Sequence, residues 1–171
     1  MTPVQLIELR DYIAADPTLL AMAQAGQDNN IVEELCSRTQ VILQKPHQIG
    51  QRGICSSVGL IAGHKFLKDL KAFSEELLPA EDPLIPFQEP IGSLIAWLYM
   101  EGGLDIGDSE TRTNLDGLVS AGKLDATVTS TIKSLAEQTV SVAIAKGWHG
   151  VSHLDVARAV RDGSGNLLIG A

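Results

Sequence analysis

Helix start and stop signals recur so closely along this chain that it can build only short helices. Thr2 can cap a first helix, Pro3 fits its first position, and Gln5 completes a capping box. Leu6, Leu9 and Ile13 follow at helical spacing, with Ile7 widening the stripe. Asp16-Pro17 stops that helix and starts another, Asp16 as cap. Leu19, Leu20, Met22 and Ala23 supply its apolar side, and Gly26 ends it. Asn30 and Glu33 pattern as the next box, opening a helix that runs to about Arg38. Farther on, Asp108 caps a helix ending at Gly122, and Asp125 caps one carrying Val128, Ile132 and Leu135. Ser152 with Asp155 boxes a last helix over His153–Arg161. Helices this short are marginal alone, so each must pack against a neighbour.

Between these segments the signal is mixed. Thr39–Leu43 is β-branched and apolar, a short strand or an extended link closed by Pro46. Gly50 and Gly53 leave Ile49–Val58 ambiguous. Leu60–Leu78 is helical, with Leu60, Phe66, Leu67, Leu70, Phe73 and Leu77 as the apolar face and Lys65, Lys68 and Lys71 turned away. Four of the seven prolines fall in 79–90, which reads as a semi-rigid extended connector holding the apolar triplet Leu84, Ile85 and Phe87. Pro90 then opens a helix over Ile91–Met100 that is apolar on nearly every side, as buried or interface helices are. Val140–Lys146 is a helical turn or a strand, stopped by Gly147. The expected fold is mainly α: a compact bundle of short capped helices with a proline-rich connector and one or two short strands. Its expected regions are an N-terminal helical region 1–78, the linker 79–90, a C-terminal helical region 91–161 and a tail 162–171.

Composition narrows the function classes. With 171 residues, 44% hydrophobic and 20% charged, the chain can bury a real core and is not of disordered type. Aromatics are only 4%, so that core is aliphatic. Thirteen basic against 21 acidic residues give −8, and the bases are scattered, which disfavours direct nucleic-acid binding. Lys65, Lys68 and Lys71 read as a solvated face because Asp69, Glu75 and Glu76 lie in the same segment. The apolar run Leu94–Met100 is far short of the roughly 20 residues a bilayer span needs, so no membrane partner is expected. Residues 1–15 carry Glu8, Arg10 and Asp11 and do not look like a signal peptide. Reduced thiols at Cys36 and Cys55 are therefore the default.

No legible constellation carries catalysis. His149 and His153 stand four apart, a spacing that lets two imidazoles share a metal, but Gly147 and Gly150 interrupt a helix there and no third ligand is near in sequence. Cys36 and Cys55 are not a knuckle, and Cys55 with His64 would need convergence by folding. Asp162, Ser164 and Asn166 alternate oxygen donors like the start of a calcium loop, but Leu167 stands where that loop needs glycine, so a turn is expected. Of the acids Asp105, Asp108 and Glu110, capping explains Asp108 and the helix dipole explains Glu110. Neither a nucleophile elbow nor a phosphate-cradling loop is present. The expectation is a protein that is not an enzyme, with no cofactor and no metal.

Two stretches resemble a known group. The first is Ile13-Ala14-Ala15-Asp16-Pro17 with Leu19-Leu20, Gly26, Asp28 and 31–35. The second is 104–124, LDIGDSETRTNLDGLVSAGKL, with the later helix 152–161. Together, over about half the chain, they resemble small proteins encoded among the structural genes of tailed bacteriophages. The resemblance implies a non-enzymatic virion structural protein of the tail, neck or baseplate, made in the host cytoplasm and acting as an adaptor or decorating subunit. The alternative is an assembly factor or binding module absent from the mature particle. Expected partners are other virion proteins or copies of the chain itself. The candidate partner-binding residues are Leu84, Ile85 and Phe87 of the connector, the aromatics Trp97 and Tyr99, and Leu167, Leu168 and Ile169 of the tail. An uncharged apolar tail gains little in water and must dock, in cis or in trans. On the trans reading, loss of 166–171 weakens assembly and leaves the fold intact.

Overall fold

Side-chain caps open several of the helices in the computed structural model, which describes residues 1–100 and 102–169. The Thr2 hydroxyl accepts from the Gln5 N–H at 3.2 Å and the Gln5 side chain accepts from the Thr2 N–H at 3.0 Å, opening α1 (Pro3–Ala15). The Asp16 carboxylate accepts from the N–H groups of Thr18 and Leu19 and opens α2 (Pro17–Gln24). Then come α3 (Asp28–Ser37), β1 (Thr39–Leu43), β2 (Gln48–Ile49), α4 (Gln51–Val58), α5 (Leu60–Ser74) and α6 (Ile85–Leu98). The chain continues through β3 (Leu104–Asp105), α7 (Ser109–Ser120), α8 (Ala126–Ser134), β4 (Glu137–Ser141), α9 (Val142–Ala145) and α10 (His153–Val160). The fold is mainly helical, with two small antiparallel sheets, β1 with β4 and β2 with β3.

Contacts group the chain into two units, Met1–Ile42 with Thr139–Ala171, and Leu43–Gln138. Both crossings fall inside the paired strands β1 and β4. This partition follows strand pairing, whereas the sequence division into 1–78, 79–90, 91–161 and 162–171 follows proline and glycine punctuation.

The first unit packs α1, α2, α3, α9 and α10 around Leu9, Ile13, Ile31, Leu35, Trp148 and Val156. The Tyr12 ring stands edge-on to Trp148, centroids 5.6 Å apart. Its chain ends are tied in. The Met1 amine lies 3.4 Å from Asp155, and Arg161 grips both Asp28 oxygens at 2.8 Å while donating to the Ala23 carbonyl at 2.9 Å. In the tail, Leu167 bridges Arg161 and the Leu168 N–H donates to the Val160 carbonyl at 2.7 Å. Ile169 is only 8% exposed among the core residues of this unit. The tail therefore docks in cis through Ile169, because backbone pairing with the end of α10 carries that side chain into its own core. Gly170 and Ala171 lie outside the described residues.

The second unit gathers α4–α8 with β2 and β3 around Ile54, Phe66, Leu70, Phe73, Ile91 and Leu115. Ile49 pairs opposite Leu104, and Gln48 opposite Asp105. Gly63 lets α5 lie against α4, since a Cβ there would stand 2.7 Å from the Cys55 Cα.

Three local expectations are corrected. Helix α3 begins at Asp28 without a side-chain cap, so Asn30 and Glu33 form no box; Asp28 in the first turn favours the helix dipole there. Helix α5 runs from Leu60 only to Ser74, so Leu77 falls past its end, and Leu60 at its first position stands clear of the core; both are exposed rather than on the core face. The proline-rich connector is not an extended linker. The Asp82 carboxylate accepts from the Leu84 N–H at 2.8 Å to form a turn, and α6 starts at Ile85, five residues before Pro90. Pro86 sits in the first turn, where the missing N–H costs nothing. The bond that Pro90 cannot donate would run to that same first turn. Gln88 fastens the segment by donating to the carbonyls of Phe73 (3.1 Å) and Glu76 (2.7 Å) at the end of α5.

Candidate partner-binding surface

The second unit leaves large apolar side chains open along α6. The helix buries Ile91, Leu94 and Leu98, but Trp97 is 46% exposed and Tyr99, its C-cap, 72%. Met100 follows, also exposed. Ile85 at the helix start is exposed too. Leu84 and Phe87 instead pack on the core of their own unit. Phe87 lies so close to Gly117 that a Cβ there would come within 2.7 Å of its ring. Of the eight candidate residues, then, Ile85, Trp97 and Tyr99 share α6 and its end, while Leu84, Phe87 and Ile169 are covered in cis. Leu167 and Leu168 are exposed in the first unit. The helix expected to be apolar all round therefore has one face in the core and one face open.

A groove of about 370 Å³ runs between α6 and the N-terminal half of α7. Pro86, Pro90, Leu94 and Trp97 form its α6 wall, four residues at helical spacing that place their side chains on one stripe. Thr111 and Asn114, three apart on α7, form the opposite wall; both are nine-tenths or more buried. Glu89, Asp108 and Glu110 rim it. Asp108 caps α7, accepting from the N–H groups of Glu110 and Thr111 at 2.9 Å each. The bond from Thr111, with help from Glu110 and the charge of Lys45, holds its carboxyl below the usual range. Lys45 Nζ lies 3.8 Å from it. Among the described residues, Glu89 and Glu110 have no basic partner, and the Asn114 amide has no hydrogen bond.

Sequence reasoning singled out Trp97, Asp108 and Glu110 but did not bring them together. It missed Pro86, Glu89, Pro90, Thr111 and Asn114. The 86–89–90–93–97 spacing could have found one wall had α6 been started before Pro90. The third acid of the sequence cluster, Asp105, is turned elsewhere and accepts from the N–H groups of His47 (2.8 Å) and Gly107 (2.9 Å).

The remaining candidates do not converge. His64, His149 and His153 are exposed, and Cys36 and Cys55 are free thiols in different units. Among the described residues, no three His, Cys, Asp or Glu side chains are grouped to hold a metal ion. Asp162 makes a turn, accepting from the N–H groups of Ser164 and Asn166 at 2.8 Å. Lys65 and Lys71 pair with Asp69 and Glu75 on the exposed side of α5. No described helix is long and apolar enough to cross a membrane. Compared with known proteins, the chain matches no family model, no curated protein and no solved structure.

Proposed function

We propose that the chain is a non-catalytic binding subunit of a tailed-phage particle, placed in the tail, neck or baseplate and working through protein contacts of its second unit. The observation that carries this reading is the exposed cluster Trp97, Tyr99 and Met100 at the end of α6, beside a groove where Glu89 and Glu110 have no basic partner among the described residues. Large aromatics left in water at one place favour association, and aromatic residues and methionine are enriched in interface cores. In the first unit the tail is tied down in cis, and the exposed large apolar side chains, Val4, Ile7, Ile144, Leu154, Leu167 and Leu168 among them, are aliphatic rather than aromatic. The phage assignment within this class rests on the resemblance of 13–35 and 104–124 to small phage structural-module proteins.

The test is mass spectrometry of purified particles from cells carrying the gene, with wild-type chain and with the pair Trp97→Ser and Tyr99→Ser. Wild-type chain is expected in the particles alongside tail proteins, and the doubly substituted chain in the lysate but depleted from particles. Abundance in the lysate with absence from particles would reassign the chain as an assembly factor. Undiminished incorporation of the double variant would overturn the assignment of this surface.

A further inference from the structure

We propose that the groove between α6 and α7 is a receptor for an arginine side chain carried on an extended partner segment. This rests on the reading of the second unit as a binding module and adds the chemistry of what it binds.

Charge gives the sign of the occupant. Glu89 and Glu110 rim the groove with no basic partner among the described residues, and Asp108 is balanced only by Lys45 at 3.8 Å. An anion is disfavoured even though α7 begins here. Its first N–H donors are already taken by Asp108, at 2.9 Å to Glu110 and to Thr111. The walls give the shape. Trp97, half-exposed, lines the groove with Pro86 and Pro90, and an indole is a surface over which a planar cation stacks.

Asn114 supplies the independent indication. It is 9% exposed, lines the groove, and makes no side-chain hydrogen bond to any described residue. Its side chain is nine-tenths covered, so what its amide pairs with must come from the groove that it lines. Its carbonyl oxygen and the Thr111 hydroxyl can both accept. Arginine meets all three demands, with a flat face for Trp97, several N–H donors for Asn114 and Thr111, and a charge for Glu89 and Glu110. Lysine meets only the last well. The volume, about 370 Å³, suits one long side chain and its flanking backbone.

The probe is the peptide acetyl-Ala-Arg-Ala-Arg-Ala-amide, titrated into the full chain and followed through the Trp97 indole and Asn114 amide signals by NMR. Controls are the same peptide with citrulline for arginine, and free N-acetylargininamide. Both groove signals are expected to shift saturably with the arginine peptide, while the Trp148 indole stays still. The citrulline peptide is expected to bind at least about tenfold more weakly. The double variant Glu89→Gln and Glu110→Gln, which touches only exposed side chains, is expected to lose about tenfold in affinity, and Asn114→Leu a similar factor. Equal binding of the citrulline peptide, affinity unchanged in the double variant, or no saturable shift up to about 10 mM peptide would overturn the proposal. Equal affinity for N-acetylargininamide would overturn the partner segment in favour of a small guanidinium ligand. These outcomes are independent of particle incorporation, so a chain that enters particles and ignores the peptide defeats only this inference.

Discussion

A methyl group added at Gly26, Gly147, Gly150, Gly163 or Gly165 in the first unit would meet nothing within 4 Å. In the second unit Gly50, Gly59, Gly92 and Gly122 are as free, but a methyl would stand 2.7 Å from the Cys55 Cα at Gly63, 2.7 Å from the Phe87 ring at Gly117, and 1.9 Å from the Gln44 carbonyl oxygen at Gly107. The first unit uses glycine mainly to turn the chain: Gly26 and Gly147, with φ of 71° and 72°, follow the ends of α2 and α9. The second also uses it to bring elements together, at Gly63, Gly107 and Gly117. The surfaces differ too. The first unit ties down its N-terminus and its tail, and the large apolar side chains it leaves open, Val4, Ile7, Ile144 and Leu154 among them, are aliphatic, whereas the second leaves the aromatics Trp97 and Tyr99 open beside a groove. A tightly fitted support beneath an open recognition surface is the arrangement binding sites need.

The sharpest way to break this contrast is to add the missing methyl in each unit. Gly107→Ala forces backbone against backbone and should cost about 3 kcal/mol, the upper range for overpacking. Gly163→Ala meets open space at an ordinary φ and should stay within about 0.5 kcal/mol. Urea unfolding read at the indole signals of Trp97 and Trp148 reports the second and first unit separately. Equal losses in the two variants would mean that the close approach at Gly107 is not real.

What the sequence could reveal divides along the same line. The caps at Thr2, Asp16, Asp108, Asp125 and Ser152 were legible because a cap is local: one side chain bonds a backbone N–H two or three residues away. The strand at Thr39–Leu43 was legible as one of two readings, but not its pairing with β4, almost a hundred residues later in the chain. The glycines that make room were not legible, since nothing near Gly107 in sequence points to Gln44. The groove failed for two reasons. Its α6 wall was hidden by treating Pro90 as a helix start. Its α7 wall consists of Thr111 and Asn114, which look like ordinary polar helix residues until burial is known. Burial of the tail was foreseen as docking, but the choice of its own unit depends on the end of α10.

That choice can be tested at smaller cost. Ile169→Ala removes a core side chain near the chain end and should lower stability by about 2 kcal/mol, the low end for such truncations, since the backbone pairing of Leu167 and Leu168 survives. Leu168→Ala, at an exposed position, should change thermal unfolding by less than about 0.5 kcal/mol. A silent Ile169→Ala would detach the tail from the first unit and restore the reading in which it docks on another chain.

The smallest expected difference is in acid. Among the described residues, three carboxyls of the first unit are held below the usual range: Asp16 mainly by the Arg38 guanidinium, Asp155 by the Ser152 hydroxyl, and Asp162 by the Asn166 amide. Among those of the second unit one is, Asp108, held by the Thr111 N–H. A carboxyl whose folded value is depressed stabilises the fold fully above its unfolded value, here 3.8. As pH falls below that, the unfolded chain takes up protons first, and the contribution is lost on the way to the folded value. Stability therefore falls with acid in both units, and the first should lose more. Between about pH 5 and pH 2.5, urea midpoints from the Trp148 indole should drop more steeply than those from Trp97. Asp16→Asn isolates one part of this. Asparagine caps as well as aspartate, so α2 keeps its start, while the pair with Arg38 loses its charge. The cost near neutral pH should be under about 1 kcal/mol, as for a partly exposed ion pair, and the acid slope at Trp148 should flatten while that at Trp97 stays. If Asp16→Asn left the Trp148 slope unchanged, the acid sensitivity of the first unit would belong to Asp155 at the start of α10, where the Met1 amine and the Ser152 hydroxyl share its carboxylate.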